Sequence, residues 1–211
     1  MPLGELRSHT DTRAMTMQLV IGISGATGAI YGIRVLKVLQ QRPDIETHLV
    51  ISKASGPTIS HETGYTIGEV KALASVVHDD RDLGAAISSG SFQTDGMLVA
   101  PCSIKTLSGI ANSYDENLVV RAADVVLKER RKLVLMVRET PLHLGHLRLM
   151  VRAVEQGAII LPPVPAFYNL PTTIDDIVNQ SVGRALDQFG IDAKLFTRWK
   201  DRGVSKKVKK S

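Results

Sequence analysis

Cysteine occurs once in the 211 residues, at Cys102, so neither an internal disulfide framework nor a zinc site built from several thiolates can form. Aromatic residues make up only 4% of the chain, too few for the row of exposed rings on which single-stranded nucleic acid stacks. No apolar stretch approaches the roughly 18 residues that a membrane-spanning helix requires. The first 16 residues, MPLGELRSHTDTRAMT, carry charges of both signs and no apolar h-region, which argues against a secretory signal. These absences point to a cytoplasmic protein that engages neither nucleic acid nor membrane.

Excess charge is also scarce once it is located. The net charge is +5, but from Arg198 to Ser211 there are seven Lys or Arg against one Asp, so setting aside this +6 segment leaves −1 for the rest. The basicity reads as a solvated terminus, with a weak anionic contact as the alternative. A composition of 44% hydrophobic and 22% charged residues is ordinary for a globular domain. The expected organisation is an N-terminal extension over 1–16, a single domain over 17–199 and a basic tail over 200–211.

Within that domain, short β-like runs alternate with helical patterns, which predicts an α/β fold with a parallel sheet. Strands are expected over 18–23, 46–52, 96–101, 132–137 and 158–161. GAIYGIRVLKVLQQ places Ile30, Ile33, Val35, Leu36, Val38 and Leu39 on one broad apolar face. Asn117 is placed to cap a helix running to about Arg131. Thr173 is placed to cap a last helix with Asp175 and Asp176 in its first turn and Gly190 at its end. In such sheets ligands bind beyond the carboxyl ends of the strands, so the five polar strand ends are expected to converge on one crevice.

The first strand leads into GISGATGAIYG, residues 22–32. Gly22, Gly25 and Gly28 allow a tight turn and close approach of backbone to an anion, and Thr27 adds a hydroxyl at a helix start. The same glycines also suit plain packing of strand against helix. Ser52 stands at the end of the second strand, where a dinucleotide site carries Asp or Glu; Lys53 leaves only an NADP ribose phosphate open. No Gly-Lys-Ser/Thr follows the glycines, so this is not a P-loop, and a mononucleotide such as FMN fits better. In CSIKT, Ser103 and Thr106 lie three apart at a helix start and can serve an anion or simply cap the helix.

Four further features carry chemistry or a plainer alternative. Arg121 and Lys128 are two helical turns apart with Asp124 between them, either a cationic stripe for a second phosphate or a surface pair of Asp124 with Lys128. Glu139, beside Arg138 at a strand end, suits general acid/base work if neighbouring apolar groups desolvate it, and a surface ion pair if they do not. Tyr168 follows three prolines that stiffen its approach. Cys102 has no neighbouring His as a base and reads as a small buried apolar residue, and His143 and His146 share a helix face without a third metal ligand.

Seven ordered motifs, GISGATGAIYG, ETHLVISKA, ISSGSFQTDGM, PCSIKTLSGIA, RAADVVLKERRKLVL, RETPLHLGHLRLM and PPVPAFY, make residues 17–199 resemble the UbiX-type flavin prenyltransferases, formerly described as aromatic acid decarboxylases. The resemblance implies a flavodoxin-like, doubly wound parallel sheet that binds FMN at subunit interfaces of a homo-oligomer, commonly a dodecamer, with no metal. It implies transfer of a dimethylallyl group from dimethylallyl monophosphate to reduced FMN, forming a fourth ring for use by a UbiD-type decarboxylase, often in ubiquinone synthesis. By the same resemblance Gly25, Ala26, Thr27, Ser52, Ser103, Ile104, Lys105, Thr106 and Arg138 contact FMN. Tyr168 and Arg184 hold the prenyl phosphate, Arg121 and Lys128 clamp it, and Glu139 handles protons. Glu62, Ser89, Gly90, Ser91 and Trp199 follow as further candidates. Thr27 stands where many relatives have Ser, which keeps the hydroxyl. The competing readings are an FMN-dependent decarboxylase of this fold and a non-catalytic FMN carrier.

Overall fold

The computed structural model describes residues 16–199. The strands are β1 (Met17–Ile23), β2 (Ile45–Ile51), β3 (Val76–His78), β4 (Gly96–Cys102), β5 (Lys132–Val137) and β6 (Ile159–Ile160). They form one sheet in the order β3-β2-β1-β4-β5-β6, with parallel pairing throughout. Setting aside the short edge strand β3, the remaining order corresponds to the 2-1-3-4-5 pattern of the flavodoxin-like doubly wound fold. The order reverses between β1 and β4, which makes their carboxyl ends the switch point.

The helices are α1 (Ala29–Leu39), α2 (Ser55–Thr63), α3 (Ile67–Lys71), α4 (Ile104–Ala111), α5 (Leu118–Lys128), α6 (Leu144–Glu155) and α7 (Ile174–Asp187). One face of the sheet packs with Ile33, Leu36, Ile59, Val70, Val178 and Val182 from α1, α2, α3 and α7. The other packs with Leu107, Ile110, Val119, Val126 and Ala153 from α4, α5 and α6. Coverage on both faces explains why β4 is buried along its whole length and reads as a continuous rather than an alternating apolar run.

The five expected strands are present, each boundary within one residue of its expected place. The sixth, β3, escaped the pattern because it has three residues, pairs only with β2 and buries none of them fully. Asn117 caps α5 by accepting from the Val120 amide at 3.0 Å. That helix stops at Lys128 rather than near Arg131, because Arg130 turns to φ 58°, a left-handed conformation that ends helices. Thr173 caps α7 in a reciprocal box with Asp176, and Gly190 beyond its end has φ 76°. Residues 1–15 of the expected extension and the whole 200–211 tail lie outside the described residues.

Candidate active site

At the switch point one buried hydroxyl ties two strand ends together. Ser24 Oγ donates to the Pro101 carbonyl at 2.9 Å and accepts from the Ser103 amide at 2.8 Å. The glycine loop after β1 and the CSIKT turn after β4 are therefore fixed to each other. Both explanations of the glycines hold in part. Gly25 is required by packing, since a Cβ there would stand 2.7 Å from the Ala54 Cβ, while Gly28 has φ 94° and caps α1. The Gly28 amide donates to Glu62 Oε2 at 2.7 Å, so a protein carboxylate already occupies this donor at the start of α1. Glu62 thus belongs to the loop through α2, a link spanning 34 residues.

Beside the loop lies a cavity of about 600 Å³, within the range of ligand sites. Gly25, Ser52 and Lys53 form one wall, Ser103, Lys105 and Thr106 another, and Asp80, Arg81, Glu116 and Asn117 complete it. Ser103 Oγ accepts from the Thr106 amide at 3.2 Å and donates to Thr106 Oγ1 at 3.1 Å, so both hydroxyls serve the α4 cap and line the cavity. Ser52 Oγ sits 2.8 Å from Ser55 Oγ. Lys105 pairs with Glu116 at 2.8 Å, which holds its ammonium above the usual lysine range. Ile104 packs its side chain against the second core, leaving its part in the site to the backbone. Unfilled amides at the start of α4, hydroxyls and lysines together suit an anionic ligand.

Burial raises the pKa of Asp80, an effect opposed by its bonds to the Val119 and Lys53 amides and assisted by Asp79 and Glu116. Sequence patterning did not single out this residue. Its partners lie 27 and 39 positions away, and no local signal reports such distances.

The expectation that all five strand ends meet in one crevice holds for β1, β2 and β4, and the β5 end adjoins them, the Arg138 amide donating to the Cys102 carbonyl at 3.0 Å. The ends of β1, β2 and β4, together with the segment after β3, line the cavity; Arg138, Glu139 and Tyr168 do not. Arg138 lies close enough to α1 for its charge to act on the Tyr31 phenol, whose pKa burial raises and Arg138 lowers. Glu139 is exposed and, among the described residues, accepts only from the Thr140 amide, at 3.0 Å, so the described residues supply neither the desolvation nor the ion pair considered for it.

Arg121 and Lys128 share α5 and both reach the 88–91 segment, but they take different acidic partners. Arg121 bonds to the Ser88 carbonyl at 3.2 Å, to Asp115 at 2.9 Å and to Asp124 at 3.4 Å. Lys128 pairs with Glu129 and not with Asp124. Asn117, at the amino end of α5, lines the cavity, whereas Lys128 ends the helix just before β5 begins. An 11-residue helix spans about 16 Å, so within one chain Lys128 belongs to the opposite edge of the sheet. A Cβ on Gly90 would lie 2.6 Å from Lys128 Nζ, which places the Ser89-Gly90-Ser91 loop against this lysine.

Tyr168 and Arg184 meet through the C-terminal segment. The Tyr168 ring packs edge-on to Trp199 at 5.4 Å, while Arg198 grips Asp187 at 2.7 Å and Asp187 also receives Arg184 at 3.4 Å. Lys132 at the start of β5 bonds to the Gln188 carbonyl, which fixes the end of α7, and Arg184 with it, near the amino edge. One chain therefore presents a crevice and two separate cationic clusters.

Cys102 is fully buried, and burial pushes its thiol far above the usual range, as expected of an apolar role. His143 caps α6, its Nδ1 accepting from the Gly145 amide at 2.9 Å, and its ring lies 3.6 Å from that of His146. Among the described residues no helix is long and apolar enough to cross a membrane.

Residues 7–185 match the family model described as Flavoprotein. A flavin prenyltransferase UbiX from Thauera aromatica is 63% identical over 183 residues, covering 87% of this chain and 94% of that protein. The crystal structure of AnUbiX (PadA1) in complex with FMN and dimethylallyl pyrophosphate superposes with a TM-score of 0.85 at 51% identity, covering 87% of this chain and 97% of the other. A dodecameric FMN-dependent UbiX-like decarboxylase from Escherichia coli O157:H7 matches with a TM-score of 0.85 at 53% identity, covering 87% and 99%. With crevice, sheet order and sequence in agreement, the chain belongs to the flavoprotein family and, within it, to the UbiX-type flavin prenyltransferases.

Proposed function

We propose that the chain transfers a dimethylallyl group from dimethylallyl monophosphate to reduced FMN and releases phosphate. One observation carries the reading: a flavin prenyltransferase 63% identical over 87% of this chain spans a crevice whose donors suit an anionic flavin tail. Gly25, Ala26, Thr27, Ser52, Arg138 and the Ser103 to Thr106 turn hold the FMN. Of these, Gly25, Ser52, Ser103, Lys105 and Thr106 line the cavity, and their hydroxyls, amides and ammonium are what a phosphate monoester needs. When bound, reduced FMN supplies the electron-rich ring atoms that form the new carbon bonds.

The allylic C–O bond breaks with its electron pair departing on the phosphate. Arg121, Lys128, Tyr168 and Arg184 stabilise that growing charge, and fixed donors aimed at developing charge are the usual large contribution in catalysis. Glu139 handles the protons of ring closure, giving one to the allyl double bond and taking back one displaced from the ring, so that it ends as it began. Because these groups occupy different faces of one chain, the complete site is shared among copies of it in a homo-oligomer, read here as a dodecamer. A shared site also gives Glu139 the apolar surroundings that a single chain lacks. The recipient of the product is a UbiD-type decarboxylase, with ubiquinone synthesis the pathway and the cytoplasm the location.

The name decarboxylase carried by one similar structure favours direct decarboxylation as the second reading. Anaerobic incubation with reduced FMN and dimethylallyl monophosphate separates the two. Prenyl transfer adds one five-carbon unit to the flavin mass and releases phosphate in equal amount. An unchanged flavin mass overturns the proposal.

A further inference from the structure

Sugar hydroxyls in a nucleotide site of this sheet type are normally met by an acidic residue at the end of the second strand. Here Ser52 stands there, and the structure brings a carboxylate to the same place from the next strand. Asp80 lies two residues beyond β3, is 8% exposed and lines the cavity. Its Oδ2 accepts from the Lys53 amide at 3.3 Å and its Oδ1 from the Val119 amide at 3.3 Å. Its carbonyl accepts from the Leu118 amide at 2.8 Å. The carboxylate is thereby held between the β2 end and the amino end of α5.

Held in this way, it is fixed without being neutralised. Arg81 and Lys105 line the same cavity, yet Arg81 is taken by Asp79 at 2.7 Å and Lys105 by Glu116 at 2.8 Å. Among the described residues Asp80 forms no ion pair. A carboxylate oxygen has about two lone-pair sites, and each oxygen of Asp80 uses one on a backbone amide. Spare acceptor capacity on a buried anion repels phosphate and favours a hydroxyl donor.

We propose that Asp80 is a specificity residue of the site, accepting a hydrogen bond from a hydroxyl of the ligand's polyol chain, the ribityl tail of FMN. The inference rests on the FMN reading above and adds a division of labour within the crevice. The α4 turn and the glycine loop take the phosphate, and Asp80 reads the polyol between phosphate and ring.

The test compares two ligands on two proteins, with affinity read from flavin fluorescence. The ligands are FMN and an analogue whose five-carbon phosphate side chain carries no hydroxyls; the proteins are the full chain and Asp80→Asn. A charged acceptor hydrogen-bonded to a ligand hydroxyl predicts that the unsubstituted protein prefers FMN by about tenfold to a hundredfold. Asp80→Asn should lose most of that preference. If Asp80 only clasps α5, the substitution weakens both ligands by the same factor and the preference survives, which overturns the proposal. Should the variant fail to fold, the unsubstituted protein still decides: equal affinity for both ligands rules out hydroxyl recognition. Binding neither ligand would instead overturn the FMN reading itself.

Discussion

The Ser103 amide donates to Ser24 Oγ at 2.8 Å, and the same oxygen donates to the Pro101 carbonyl at 2.9 Å. Ser24 is 1% exposed, so no water replaces it when the hydroxyl is removed. Ser24→Ala leaves the Ser103 amide without its acceptor, while the Pro101 carbonyl keeps the Ser24 amide at 3.2 Å, and an unsatisfied buried group costs about 1–3 kcal/mol. The expected outcome is a loss of that size in urea-induced unfolding, together with weaker FMN binding, because the α4 turn loses its tie to the glycine loop. A stability loss with unchanged FMN affinity would show that the latch supports the fold alone.

Lys128 ends α5 while Asn117 at its start lines the cavity. A residue at the far end of the helix can serve the leaving phosphate of a neighbouring copy's site without touching the flavin of its own. Lys128→Ala is therefore expected to retain FMN affinity within about twofold while prenyl transfer falls by about 10²-fold, the scale of removing one charge-stabilising donor. Equilibrium binding and single-turnover rates check the two halves separately. Normal turnover with lost flavin would reverse the assigned roles.

What the sequence reveals follows from the range of each interaction. Strands such as β4 and β5 are legible because helices bury both their faces, leaving uninterrupted apolar runs. The caps at Asn117 and Thr173 are legible because a cap acts within three residues. Helix α2 gives little signal, burying only Ser55 and Ile59, and α3 buries only Val70. The bonds from Glu62 to Gly28 and from Asp80 to Lys53 span 34 and 27 residues, and only sheet order brings such pairs together. Convergence of the polar strand ends is legible only in part for a related reason: residue type marks a candidate, but the fold around each strand end decides whether its side chain lines the crevice.

A row of hydrogen-bonded side chains at the β2–β3 edge, centred on the buried His48, is expected to make stability depend on pH. His48 Nδ1 lies 3.0 Å from His78 Nε2, and His48 Nε2 lies 2.9 Å from Glu46 Oε1. Phe92 packs edge-on against His48. The pKa of His78 is lowered, first by burial and then by His48, with Asp82 opposing. A lowered histidine pKa means that the unfolded chain takes up the proton first. The stabilising contribution is full above the ordinary histidine pKa of about 6.5 and is lost as pH falls through and below it. Melting temperature should therefore drop on mild acidification, and His78→Gln should flatten that part of the profile. Identical slopes in the two proteins would exclude His78 as its source.

Helix α6 presents Leu144, Leu147, Val151 and Val154 at helical spacing, exposed by 59, 46, 57 and 53%, and buries only Ala153. An apolar stripe of this kind against water marks a surface made for contact. In the proposed shared site, assembly brings the Lys128 and Arg184 clusters to a crevice that one chain leaves without them. Placing charges on the stripe with Leu147→Glu and Val151→Glu should yield smaller species in sedimentation while the far-UV circular dichroism stays unchanged, since neither side chain belongs to the core. Turnover should fall by about 10²-fold or more, as expected when a fixed phosphate clamp is removed. A dissociated variant that keeps full turnover would show that each chain completes its own site, and a variant that stays assembled would show that α6 is not the surface that joins the copies.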